Sequence, residues 1–90
     1  MAVNRQIFIN DKASELGWIP IQCKQKNMIS FRCLFNKTQY RVNCWLKKAN
    51  KTSIRIQAKN VNVSWLNVEL SDLDATLMMV KDEIMQPEGR

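Results

Sequence analysis

The chain has no histidine, and no acidic residue stands between Leu16 and Val68. The first absence removes the side chain most used for proton transfer near neutral pH, which is also the commonest neutral metal ligand. The second leaves Lys24, Lys26, Arg32, Lys37, Arg41, Lys47, Lys48, Lys51, Arg55 and Lys59 with no opposite charge among them. Glycine and proline are scarce, at two each in 90 residues, which excludes collagen-like and Pro/Gly-rich disordered chains. No apolar run approaches the roughly 18 residues of a membrane-spanning helix, so no membrane span is expected. Met1 to Ile9 lacks the basic start and apolar core of a secretory leader, which makes a cytoplasmic setting the default expectation.

Cysteine is limited to Cys23, Cys33 and Cys44, an odd number, widely spaced and with no CxxC pair. A zinc site needs four ligands, and with no histidine Asp or Glu would have to complete it. The acid-free stretch holds none, so no metal and no cofactor is expected, and the cysteines read as small buried thiols.

What is present is globular in character. The chain is 46% hydrophobic and 24% charged, a composition that buries a core. Ninety residues make one small domain, 1–90. Residues 28–70 read as an antiparallel sheet, 71–86 as a C-terminal helix and 87–90 as a tail. Met28 to Phe35 alternates, with Ile29, Phe31, Cys33 and Phe35 on one side. Tyr40 to Lys47 sets Tyr40, Val42, Cys44 and Leu46 against Arg41, Asn43, Trp45 and Lys47. Thr52 to Lys59 sets Ile54, Ile56 and Ala58 against Ser53, Arg55, Gln57 and Lys59. Alternation of period two with β-branched and aromatic residues is the pattern of half-buried strands. A short echo, Asn36 to Val42 against Asn50 to Ile56, gives Arg41 and Arg55 the same orientation.

Register follows from keeping every apolar residue on one face. A two-residue loop at Lys37-Thr38 pairs Phe35 with Tyr40. A loop at Ala49 to Lys51 pairs Leu46 with Ile54. A hairpin at Lys59-Asn60 sets Ile56 against Val63 and Ile54 against Trp65, although Val61, Trp65 and Val68 also fit a helix. Ser71 to Asp74 resembles a capping box, followed by a stripe of Leu73, Leu77, Val80 and Ile84, with Pro87 and Gly89 as the stop. In residues 1–27, Val3 to Ile9 fits a strand. Asn10 to Leu16 fits one or two helical turns, capped by Asn10 and stopped by Gly17. Ile19, Ile21 and Cys23 alternate again, with Pro20 favouring a sheet edge. The expected fold is α+β: an antiparallel meander of about four to six strands with one C-terminal helix across its apolar face.

The polar side of that sheet is the candidate site: Arg32, Arg41, Asn43, Trp45, Lys47, Lys48, Lys51, Arg55, Gln57 and Lys59. The expected register puts Ser30, Trp45 and Arg55 in one row and Arg41 opposite Lys59. Like charges opposed on a sheet destabilise it, and phosphate oxygens relieve that repulsion through bidentate guanidinium contacts. Trp45 fits a stacking platform for an unpaired base. It equally fits packing under the N-terminal segment with Trp18, with Arg55 over its ring. Met78 and Met85, seven apart on the helix, suit either a wide core stripe or an adaptable interface with a second copy or another protein.

Nucleic acid, single-stranded DNA or RNA favoured, is therefore the expected partner, with an acidic protein as the alternative. A nucleic-acid partner extends the expected location to the nucleoid or nucleus. An enzymatic role is not expected: no nucleophile–base pair stands out, and Asp72, Asp74, Asp82 and Glu83 have ordinary helical placement.

Overall fold

The computed structural model describes residues 4–59 and 61–85. It opens with helix α1, Arg5–Glu15. Asn4 caps it, its Oδ1 accepting the N–H of Gln6 at 3.0 Å and of Ile7 at 3.2 Å. The end is a Schellman motif around Gly17, whose φ is +82°. Trp18 N–H donates to Ala13 O at 2.9 Å and Gly17 N–H to Ser14 O at 3.1 Å. The stop at Gly17 agrees with the sequence reading. The strand expected from Val3 does not form over the described part of that segment, and the helix starts at Asn4 instead of Asn10. The physical reason is the cap together with Ile9 and Ala13, which are four apart and both buried on one helical face. Val3 itself lies outside the described residues.

Five strands follow in meander order: β1 Ile19–Ile21, β2 Met28–Phe35, β3 Thr38–Leu46, β4 Thr52–Ala58 and β5 Val61–Val68. All adjacent pairs are antiparallel. The short β1 forms one margin of the sheet and carries Pro20, as edge strands can. β5 forms the other margin, which settles residues 61–68 as strand. A single 3₁₀ turn, Leu70–Asp72, leads into helix α2, Leu73–Ile84. The chain is thus an α+β fold with a C-terminal helix on a five-stranded meander, and α1 adds a second helix to that face.

The capping box expected at Ser71 is not formed. Asp72 stands at the N-cap with helical backbone angles and makes no side-chain cap bond. The 3₁₀ turn has already wound the chain there, so the helix receives a different contact, Thr76 Oγ1–H to Asp72 O at 2.8 Å. The expected stripe is realised: Leu73, Leu77, Val80 and Ile84 are all buried. They meet Phe31, Tyr40, Val42, Cys44, Ile54 and Ile56 from the sheet, and Ile9, Ala13 and Trp18 from the N-terminal segment. Each fully buried aliphatic side chain in such a cluster contributes roughly 1.5–3 kcal/mol. Trp18 lies against Phe31 with ring centroids 6.1 Å apart and planes tilted by 46°. The proposed stop at Pro87 and Gly89 lies outside the described residues, as does the 87–90 tail.

Candidate nucleic-acid interface

Both helices pack on the apolar side of the sheet; on the other side Arg32, Arg41 and Gln57 are exposed, while Ser30, Asn43 and Ser53 are buried. Three cross-strand rows build that outer face. One runs Ile19, Arg32, Arg41, Gln57, Asn62; the next runs Ile21, Ser30, Asn43, Arg55, Ser64. A third sets Trp45 between Met28 and Ser53.

These rows differ from the expected ones by a shift of two residues in two hairpins. Phe35 pairs with Thr38 across Asn36-Lys37, and Leu46 pairs with Thr52. Trp45 therefore leaves the row of Ser30 and Arg55, and Arg41 lies between Arg32 and Gln57, not opposite Lys59. The cause is turn chirality. Asn36 and Lys37 both have positive φ, 52° and 66°, as a type I′ turn requires. A β-branched Thr38 is ill suited to that position. Ala49 and Asn50 repeat the pattern at 59° and 58°, in a turn closed by Lys51 N–H to Lys48 O at 3.2 Å. The β4–β5 register is as expected, with Ile56 against Val63 and Ile54 against Trp65.

The observed register brings two arginines together. Arg32 and Arg41 are direct partners and both are exposed. The phase of the ladder is set where Leu46 N–H donates to Asn27 O at 2.7 Å. Alternation from that point makes Arg32–Arg41 a non-hydrogen-bonded pair, the tighter type, with Cα atoms about 4.5 Å apart. Among the described residues neither arginine has a salt bridge, and the strands that build this face contain no acid. The two salt bridges among the described residues, Lys12–Asp74 at 2.9 Å and Lys51–Glu69 at 2.8 Å, involve none of the arginines of this face. Asp74 also holds the Lys12 ammonium pKa above its ordinary range.

Beneath the arginines runs a polar ladder. Ser30 Oγ–H donates to Asn43 Oδ1 at 2.8 Å, and Asn43 Nδ2 donates to Gln57 Oε1 at 2.8 Å. Ser30 is 1% exposed and Asn43 4%, so these bonds satisfy groups that water does not reach. Asn43 thus holds the sheet, and Gln57, exposed, presents its amide to solvent. Arg55 is half-buried, and its Nε donates to Asn62 Oδ1 at 2.9 Å, which fixes the guanidinium along the face.

The remaining candidates spread outward. Lys59 is exposed beyond the end of β4. Lys47 and Lys48 are exposed around the β3–β4 turn. Lys51 is drawn away: its Nζ holds Glu69, and its carbonyl accepts from Arg5 of α1. Trp45 is half-buried on the outer face, while Trp18 lies in the core with Phe31, so packing of Trp45 on Trp18 does not occur. Met78 and Met85 are 37% and 47% exposed, which removes them from the core stripe. Ile19, Leu34, Gln39 and Asn62 also belong to this face. The period-two phase carries the signal for Leu34, Gln39 and Asn62, whereas the apolar alternation of Ile19 with Ile21 points the other way. Ile19 and Leu34, with Arg32, Cys33 and Gln39, line a shallow cleft of about 270 Å³. Leu34 is 74% exposed there.

The three cysteines are free thiols. Burial raises the pKa of Cys33 and pushes that of Cys44 up to about 12. Among the described residues no three His, Cys, Asp or Glu side chains gather as a metal site, and no helix is long and apolar enough to cross a membrane. No family model, curated protein or solved structure matches this chain.

Proposed function

We propose that the chain is a non-enzymatic nucleic-acid-binding module that lays single-stranded DNA or RNA across the outer face of its sheet. The observation that carries this reading is the Arg32–Arg41 pair: two exposed guanidinium groups directly opposed, on a face with no acid. A polyanion turns that repulsion into paired phosphate contacts, and the counterions it releases add affinity. Arg55 and Lys59 continue the track, Gln57 supplies amide donors beside it, and the half-buried Trp45 offers an aromatic ring to a base. Lys47 and Lys48 add sequence-independent attraction from the turn.

Filter binding with single-stranded DNA, single-stranded RNA and duplex, each at two salt concentrations, tests it. The reading expects the single strands to bind more tightly and affinity to fall steeply with salt. Absence of binding to all three at low salt overturns it. A second reading, an acidic protein docked on the same face, is favoured by one feature: the exposed Ile19 and Leu34 beside Arg32 offer an apolar anchor point of the kind protein interfaces use.

A further inference from the structure

Among the described residues the β5 margin of the sheet is open. Among the described residues no backbone hydrogen bond outside the ladders of the sheet reaches residues 61–66. The ladder phase fixed at Leu46 turns Val61, Val63 and Trp65 toward β4, so the N–H and C=O groups of Asn62, Ser64 and Leu66 point outward. Edge strands are ordinarily blunted by charge, proline or bulges. Residues 60–68 contain no charge and no proline. The one device present is a bulge at the far end, where Asn67 has a φ of 53° and donates its N–H to Ser53 Oγ at 3.1 Å. The side chains here are also unfinished: Val63 and Trp65 are only half-buried, and Leu66 is 74% exposed.

We propose that this margin pairs with a second copy of the chain, β5 against β5, antiparallel about a two-fold axis at Ser64. That register is self-complementary. Ser64 faces Ser64 of the second copy, and Asn62 faces Leu66 of the second copy, so all the outward backbone groups of these three residues are satisfied. On the helix-covered side Val63 packs against Trp65 of the second copy, a β-branched–aromatic pair in the tighter non-hydrogen-bonded position. Each pairing occurs twice, as an isologous contact requires.

Charge selects this occupant. The ladder itself brings no like charges together. Antiparallel pairing sets the Lys59 end of one strand toward the Glu69 end of the other. The nearest outer-face cations, the two Arg55 side chains, stand three strand spacings apart, about 14 Å, beyond the ~10 Å screening length at 0.1 M salt. The product is one sheet of ten strands, five from each copy, with the two basic faces side by side. The pairing does not depend on what that face binds.

Light scattering over a concentration series from micromolar to millimolar tests it, with circular dichroism as the check on folding. The wild type is expected to approach twice the 10.5 kDa chain mass. Ser64→Lys and Ser64→Glu change an exposed side chain, and each alone sets like charges together on the axis, so each is expected to be monomeric and folded. Mixed in equal amounts, the two variants are expected to regain the dimer, because the introduced ammonium of one then faces the introduced carboxylate of the other. A wild type at monomer mass throughout overturns the proposal, as does a mixture that stays monomeric. A dimer dissociated by Met78→Lys but not by Ser64→Lys places the contact on α2 and also overturns it.

Discussion

Arg41 and Val42 are neighbours in β3, yet one is exposed and the other fully buried. The contrast holds across the centre of the sheet. On one side the chain places Phe31, Val42, Cys44, Ile54 and Ile56 under two helices. On the other it places arginine, lysine and amides, with a thin buried layer of Ser30 and Asn43 beneath them. The centre of the covered face is closed by burial. The open face retains a repulsion that nothing in the described residues relieves. The difference separates what folds the domain from what is available for binding.

The contrast breaks most visibly if both faces are truncated. Leu77→Ala removes a fully buried side chain of α2 and is expected to destabilise by about 2–5 kcal/mol. Arg41→Ala on the open face is expected to stay within about 0.5 kcal/mol. Urea unfolding measures both, and comparable losses would erase the distinction between the faces.

Alkaline pH probes the covered face through Cys44, whose thiol pKa is raised from its ordinary 9.0 to about 12 by burial. Between those values the folded state keeps a proton that the unfolded state releases. Stability is therefore intact below about pH 9 and falls as pH rises, by about 1.4 kcal/mol per pH unit from this group. Unfolding curves at about pH 8 and about pH 10.5 show the loss. Cys44→Ala, less stable at the outset, is expected to show a shallower decline, and an unchanged decline removes Cys44 as its source.

The layer between the faces gives the next effect. Asn43→Ala leaves the buried hydroxyl of Ser30 without its acceptor, and is expected to cost about 1–3 kcal/mol. Gln57→Ala is expected to cost less, since its side chain already meets water. A neutral Asn43→Ala would mean that the ladder does not hold the sheet.

How far the sequence revealed these faces depends on the element. The two sides were legible in β2, β3 and β4, because alternation assigns a face without knowledge of register. In β1 it misleads, since the alternating Ile19 and Ile21 pair with Arg32 and Ser30 on the polar side. Register was legible for β4–β5 and displaced by two residues in the other two hairpins. A two-residue shift preserves every face, so the apolar pattern cannot distinguish the alternatives; only turn chirality can. Lys37 and Ala49 carry no visible preference for the positive φ they adopt. Helix α1 was obscured because Ile7, Phe8 and Ile9 lie together, and only Ile9 of the three is fully buried. The candidate site was legible as a basic face, whereas the Arg32–Arg41 pairing, the burial of Asn43 and the diversion of Lys51 to Glu69 emerged only with the third dimension.

The smallest expected effect separates stability from binding. Arg32→Glu converts the opposed arginines into an opposite-charge pair and is expected to stabilise the fold by about 0.2–1 kcal/mol. The same change is expected to weaken polyanion binding. Stability and affinity moving in the same direction would indicate that the pair is not the binding element.

The most direct measurement is the salt dependence of binding to a labelled single-stranded oligonucleotide, followed by anisotropy, for the wild type and for Arg32→Ala/Arg41→Ala. Loss of two phosphate contacts predicts weaker binding and a plot of log K against log salt flattened by about 1.4, at roughly 0.7 per contact. A double variant that keeps the wild-type slope would contradict the account, because the opposed arginines would then not be where the polyanion lies.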